Sequence, residues 1–449
     1  MTTPRRIAFL TFGAGIFDGR TLRMARTALA AGYAVTIYAR WYRGIPVSEE
    51  RDGFRIIRAP YDWRLAVPGL RAGARRRLDA AMLRETSPGG PRASRGPRRR
   101  PLARRGVAAL PGPVRNRIRR WWRMLRLFPM YGLGWAAGLQ TVIEPADVWH
   151  GMWAGSLPAL AAARRRFGGR TVYDSRDVYM RSRSFATAGQ PWRWILERLE
   201  RRWARQADRV MTVNSAYAGL LAEQLRIEPP LVVMNLPDRW MADRRPNLIR
   251  EALALPAATS IALYQGGLMT DRGIEPAMEA ILAVPGTVLC LLGFGALRDQ
   301  LVAQSAIEPY AGRVYVLDPV PPDALLDWTA SADVSVMAIQ PTSQNHLFTT
   351  PQKLFESIAV GVPVVASDLP GMAEVVLATQ AGILCDPTDP SAIAAAIREI
   401  IEVPAEVKEA RRARILEAAR ERYNWQAEET TLLDLYAELS STAGGATTG

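Results

Sequence analysis

Between Thr350 and Val376 the chain reads TPQKLFESIAVGVPVVASDLPGMAEVV. Its first part has the apolar spacing of an amphipathic helix, Gly361 ends that helix, and Val362–Ala366 has the make-up of a buried strand. A polar turn, Ser367-Asp368, follows. Helix, glycine, buried strand and turn in so short a stretch describe one repeat of a parallel α/β layer. The same order recurs along the chain. Strands are expected at Ile7–Phe12, Tyr33–Tyr38, Asp147–His150, Arg170–Tyr173 and Ser260–Tyr264, and within VLCLLGFG, RVYVLDPV, ADVSVMAI and GILCD. Helices are expected at Arg20–Ala31 (with Gly32 as its C-cap), Ser156–Phe167, Trp192–Gln206 and Ile274–Leu282, and one begins at Asn214 or Ser215 as N-cap. Strands separated by helices mean parallel sheets.

At 449 residues the chain is too long for one core and fits two domains. The first is expected over 1–240 and the second over 250–424, joined by a polar, proline-marked linker from about Asp238 to Leu255. WQAEETTLLDLYAEL, within 425–440, has the pattern of a strong amphipathic helix. A hydrophobic content of 49% with 22% charged residues excludes a disordered chain. The two cysteines, Cys290 and Cys385, fall in expected strands and read as reduced core thiols, which suits the cytoplasm. Two histidines and two cysteines are too few for a zinc site. The apolar run after MTTPRR is too short for a signal core and reads as the first strand. The best candidate for a membrane span, Leu127–Ile143, is too short and contains Pro129, Gly132, Gly134 and Gly138.

The net charge of +15 is concentrated. Residues 61–130 hold nineteen arginines against Asp62, Asp79 and Glu85, so the rest of the chain is near neutral. Within that insert SPGGPRASRGPRRRPLARRG has no periodicity and reads as flexible. In VRNRIRRWWRMLRLF the side chains of Val114, Ile118, Trp121, Trp122, Leu125 and Leu127 share a helical face against arginine. That is the pattern of an interfacial helix on an anionic membrane. An ordinary surface helix has the same periodicity, so both readings stand. Nucleic acid is disfavoured as a partner, because the charge is confined to one insert.

Of the 58 basic residues only Lys353 and Lys408 are lysines. Lys353 and Glu356 stand one helical turn apart, so a cation and a carboxylate are aimed at the same spot at the mouth of a sheet, where ligands bind in open α/β folds. Lysine is a compact point charge suited to one phosphate oxygen. YQGGLMTDRGIE places Gly266, Gly267 and Arg272 between a buried strand and the start of a helix, the make-up of an anion site. Gly13 and Gly15, after the first strand, allow a close backbone approach to substrate.

These segments resemble the family 4 glycosyltransferases, retaining enzymes of the GT-B fold that use nucleotide-sugar donors. The likeness is strongest to the form Pro-x-Lys-Leu-Phe-Glu, carried here by Pro351, Lys353, Leu354, Phe355 and Glu356. It implies two Rossmann-like domains with parallel sheets facing a cleft, and a C-terminal helix that crosses back to the first domain, a segment RYNWQAEE resembles. The first half is similar to the family's "DvvH…VyD…ADrvitvS…NpP". The resemblance implies that Glu356 holds the donor ribose and that Arg272, matching the Lys of "Gr…KG", holds the diphosphate with Lys353. Gly293–Gly295 resembles the "lvGdG" turn near the donor. Charge growing on the departing β-phosphate would be stabilised by Arg272 and Lys353. No Asp-x-Asp motif is present, in keeping with metal-free chemistry, and the nucleotide sugar is a substrate, so no cofactor is expected.

The chain also departs from the family. Gly267 stands where the Arg of "Gr…KG" would be, Phe348 replaces a glutamate, and Met152 replaces the second His of "His-x-His", of which His150 matches the first. His150 is carried over as a catalytic candidate, with a structural histidine as the alternative. Asp174, Arg176 and Asp177 in YDSRDVY are expected at a strand end on the acceptor side, and His346 in a loop bordering the site. The implied function is transfer of a hexose to an acceptor, lipid-linked or glycan, in envelope polysaccharide or glycoconjugate synthesis. The expected place is the inner face of the cytoplasmic membrane. The alternative is a catalytically silent GT-B protein that binds a sugar nucleotide or a partner enzyme. Phe348, Met152 and Gly267 favour it, and Lys353, Glu356 and Arg272 oppose it.

Overall fold

A computed structural model describes residues 4–15, 18–86, 111–116, 118–119, 129–182, 185, 190–241 and 245–443. The chain forms two compact units, Met1–Val232 with Thr431–Gly449, and Val233–Thr430.

The first unit is built on β1 (Arg6–Thr11), β2 (Ala34–Arg40), β3 (Ser48–Arg51), β4 (Phe54–Ala59), β5 (Val148–Met152), β6 (Arg170–Asp174), β7 (Arg209–Thr212) and β8 (Leu231–Val232), in the order β3-β4-β2-β1-β5-β6-β7-β8. Every pairing is parallel except β3 with β4. The strand order reverses between β1 and β5, and the loops beyond that point are where a ligand is met in such sheets. The β3–β4 hairpin was not expected, because SEER offers no apolar alternation. Asp52 and Gly53, at φ 51° and 84°, supply the two left-handed residues that a tight turn between twisted strands needs. Asn214, not Ser215, is the N-cap of the helix Ser215–Leu225: its side-chain oxygen accepts the N–H of Tyr217 at 2.7 Å.

The insert differs from its expected irregularity at its start. Pro68–Thr86 is helical, although it has no apolar stripe to announce it. SPGGPRASRGPRRRPLARRG and the interfacial-helix residues Trp121, Trp122, Leu125 and Leu127 lie outside the described residues. The stretch weighed as a membrane span contains the helix Pro129–Leu139 instead. Its glycines let it press onto the chain leaving β4: a Cβ on Gly138 would stand 2.2 Å from the Pro60 carbonyl oxygen. Among the described residues no helix is long and apolar enough to cross a membrane.

The second unit is built on β9 (Ser260–Gln265), β10 (Thr287–Leu292), β11 (Val314–Leu317), β12 (Val334–Met337), β13 (Val364–Ser367) and β14 (Gly382–Cys385), in the order β11-β10-β9-β12-β13-β14. All its pairings are parallel. Side chains alternate between two buried faces, as a parallel sheet covered on both sides requires. In β9, Ala262 and Tyr264 join one apolar cluster with Ile281 and Ile397, while Ile261 and Leu263 join the other with Val360 and Val362. Cys290 and Cys385 are buried free thiols on β10 and β14. The order reverses between β9 and β12, which singles out the loops after those two strands.

The last helix, Trp425–Ala443, spans the boundary, since residues from Thr431 onward belong to the first unit. Its Tyr436 is buried there, its ring edge-on to Phe9 at 6.4 Å.

Candidate functional site

β9 ends at Gln265, and Gly266 and Gly267 open the loop to the helix Ile274–Leu282. Two glycines shape this turn. Gly293, at the end of β10, has φ 154°, and a Cβ there would lie 2.0 Å from the Gly266 carbonyl oxygen. Gly273, at φ 70°, precedes the helix, and a Cβ there would lie 1.9 Å from the Ala338 oxygen, just beyond β12. Neither position admits a side chain. The backbone of the two loops is thereby packed tightly on either side of a helix N-terminus.

Lys353 enters this turn from the helix Gln352–Ala359. Its Nζ lies 3.7 Å from the centroid of the Tyr264 ring, and Tyr264 donates its hydroxyl to the Gly267 carbonyl at 2.8 Å. The Lys353 Nζ is buried and has no hydrogen-bond partner among the described residues. Burial, and next the nearby charge of Arg272, bring its pKa down to about 7 against the opposing pull of Glu356. One turn on, Glu356 is buried and accepts the Gln265 amide N–H at 2.6 Å, while the Gln265 oxygen accepts the Thr329 hydroxyl at 2.6 Å. Gln265 and Thr329 were not singled out in the sequence. Gln265 adjoins the glycine pair, which was the available signal, whereas nothing marks Thr329.

The structure thus brings Gly266, Gly267, Arg272, Gly293, Lys353 and Glu356 together within the second unit. Leu354 points its side chain into the core, and its N–H is donated to the Pro351 carbonyl at 2.9 Å. His346 lies in the helix Gln344–Leu347, its Nδ1 3.0 Å from the Thr342 hydroxyl and from the Gln340 carbonyl. The Gln340 N–H is donated to the carbonyl of Asp271, next to Arg272, so this loop borders the same turn.

The remaining candidates sit in the first unit. Gly13 is exposed and Gly15 buried in the loop after β1. His150 on β5 has no exposure. Its Nδ1 lies 2.9 Å from the Tyr436 hydroxyl, its ring stacks on Phe9 at 5.2 Å, and its Nε2 is 3.8 Å from Asp174. Burial holds its pKa below the ordinary histidine value, against the pull of Asp174. Asp174, equally buried, is gripped by Arg20 at 2.7 Å. Burial alone would raise its pKa, but the Arg20 charge, with the nearby His150 adding to it, outweighs burial and holds the carboxyl well below the usual range. Arg176 pairs with Asp18 at 2.7 Å, and Asp18 caps the helix Gly19–Ala30 by accepting the N–H of Thr21. His150 and Asp174 therefore belong to a buried polar network, and Arg176 to an ion pair that fixes a helix start. Arg20, Asp18 and Tyr436 have no local sequence signal as their partners.

Residues 260–403, which include this turn, match the family model described as "Glycosyl transferases group 1". The chain is 28% identical over 305 residues to a glycogen synthase of Mycobacterium tuberculosis, a match covering 63% of this chain and 66%, just under two thirds, of that protein. Sucrose-phosphate synthase from Thermosynechococcus elongatus superposes with a TM-score of 0.69 at 18% identity, over 98% of this chain and all of that one. HepE of Anabaena, solved with UDP-glucose, superposes with a TM-score of 0.61 at 14% identity, over 96% and 99% of the two chains. The group 1 match thus lies on the turn just described, and the chain shares the two-domain GT-B fold of these solved structures along nearly its whole length.

Proposed function

We propose that the protein transfers a sugar from a nucleotide-diphosphate donor to an acceptor, with retention at the anomeric carbon and without a metal ion. One observation carries this. Lys353 holds a buried, unpartnered ammonium beside Arg272, itself without an ion pair among the described residues, at a tight glycine turn on a helix N-terminus. Two cations that repel each other at one turn are arranged for an anion. The donor diphosphate fits that charge, and Lys353 and Arg272 would meet the charge that grows on its β-phosphate as the glycosidic bond breaks. Glu356, held by Gln265, would take the ribose hydroxyls. The UDP-glucose complex of HepE supports a uridine donor as the first to try.

Glu356→Gln should weaken donor binding by roughly ten- to a hundredfold, the loss for hydrogen bonds to a charged group, and change kcat far less. The test is release of nucleoside diphosphate from a panel of UDP, GDP, ADP and dTDP sugars with lipid extract as acceptor. Donor binding with no turnover anywhere in the panel would instead support the silent reading that Phe348, Met152 and Gly267 suggest.

The acceptor is proposed to be lipid-linked and the protein peripheral at an anionic membrane, on the strength of the arginine excess in 61–130. In vesicle flotation the full chain should rise with anionic but not neutral vesicles, less so in high salt, and the difference should vanish when Arg92–Arg126 is deleted. Equal recovery with both kinds of vesicle would end this reading.

A further inference from the structure

The C-terminal ends of β4, β2, β1 and β5 are adjacent and run the same way. At or just beyond them stand, in that order, Tyr61, Arg40, Phe12 and Trp153. The Arg40 guanidinium carbon lies 4.2 Å from the ring centroid of Tyr61, 4.6 Å from Tyr42, 5.2 Å from Phe12 and 5.8 Å from Tyr131. Tyr61 and Tyr131 stack at 4.5 Å, and Phe12 leans on Trp153 at 5.3 Å. Rings cover the faces of a guanidinium but not its edge, where all five N–H donors lie. Among the described residues nothing accepts from that edge: Arg40 has no ion pair or side-chain hydrogen bond, and its Nε is buried.

Its neighbours along this end of the sheet differ. Arg20 is bound to Asp174, Arg58 to Glu49 and Arg176 to Asp18. The acidic and basic residues marked in the sequence for the acceptor are thus engaged with each other or with the frame, while Arg40 keeps its charge for something else. A desolvated donor with no acceptor is costly, and a bound anion would remove that cost.

We propose that Arg40 and its rings form an acceptor subsite for a sugar, or another hydroxylated ring, that carries a phosphate or carboxylate. The anion lies on the guanidinium edge. The C–H face of the ring packs on the aromatic surface, of which Tyr42 is the most open at 37% exposure. The word acceptor rests on the transferase reading; the binding itself does not.

The experiment is saturation-transfer NMR and calorimetry on the full chain without donor, with glucose 6-phosphate, glucuronate, inorganic phosphate and glucose as probes. Glucose 6-phosphate or glucuronate should bind more tightly than either glucose or inorganic phosphate. Arg40→Gln should weaken that binding at least about tenfold. Tyr42→Ser, on an open side chain that the fold does not need, should weaken the charged sugars and leave inorganic phosphate unchanged. Binding of glucose as tightly as its phosphate, an Arg40→Gln protein that binds normally, or no binding by any charged sugar would overturn the proposal. Turnover of a nucleotide sugar alongside any of those results would sink the subsite alone. Charged-sugar binding without turnover would sink only the transferase reading.

Discussion

Lys353→Met is expected to lower the rate of sugar transfer by about two to three orders of magnitude, the usual loss when one transition-state charge donor is removed. It is also expected to leave the protein at least as stable as before. The two effects have one cause. The Lys353 ammonium is buried over Tyr264 with no hydrogen-bond partner among the described residues, and Arg272 repels it. A buried charge without a partner destabilises the fold, so a thioether of similar length should relieve the strain while removing the chemistry. Initial rates, with thermal melting of the same samples, check both halves. A normal rate would remove Lys353 from the mechanism. A large fall in melting temperature would mean that it holds the fold together.

Asp174→Ala should do the opposite, costing about 3–5 kcal/mol in the first unit, because it leaves the fully buried Arg20 without its counter-charge. The direction of the Asp174 pKa adds a pH signature. A carboxyl held below its unfolded value contributes stability that is present above the ordinary carboxylate range and is lost as the pH falls through its lower folded value. The wild type should therefore weaken in acid more than the variant does. Urea unfolding of the first unit, followed from neutral pH downward, measures both. A loss below about 1 kcal/mol would show that the pair is not the anchor its burial implies.

The contrast between these sites shows where the sequence is legible. The α/β class follows from short apolar runs alternating with helices, and β9 to β14 overlap those runs, with ends shifted by a residue or two. In the second unit the glycines, Arg272, Lys353 and Glu356 are visible because local patterning, a turn or one helical turn, sets their spacing. The partner of Glu356 is not, since Gln265 is 91 residues away. Nor are the partners of His150 and Asp174, which lie 286 and 154 residues away in Tyr436 and Arg20. Tertiary pairing leaves no periodicity. The helix Pro68–Thr86 was hidden for a related reason, being arginine-rich with no apolar stripe, and β3 because its residues are all polar or charged.

The claim that a diphosphate sits on Lys353 is tested most directly by calorimetric titration of UDP, GDP and ADP into the full chain and into Lys353→Met, in two buffers of different ionisation heat. An anion bound at the ammonium would raise the Lys353 pKa from about 7, so binding should take up protons near neutral pH and weaken as the pH rises above it. At least one nucleotide should show this with the wild type. Lys353→Met should bind more weakly and lose the proton uptake beyond that of the phosphate itself. Equal affinity and equal proton uptake in the two proteins would contradict it.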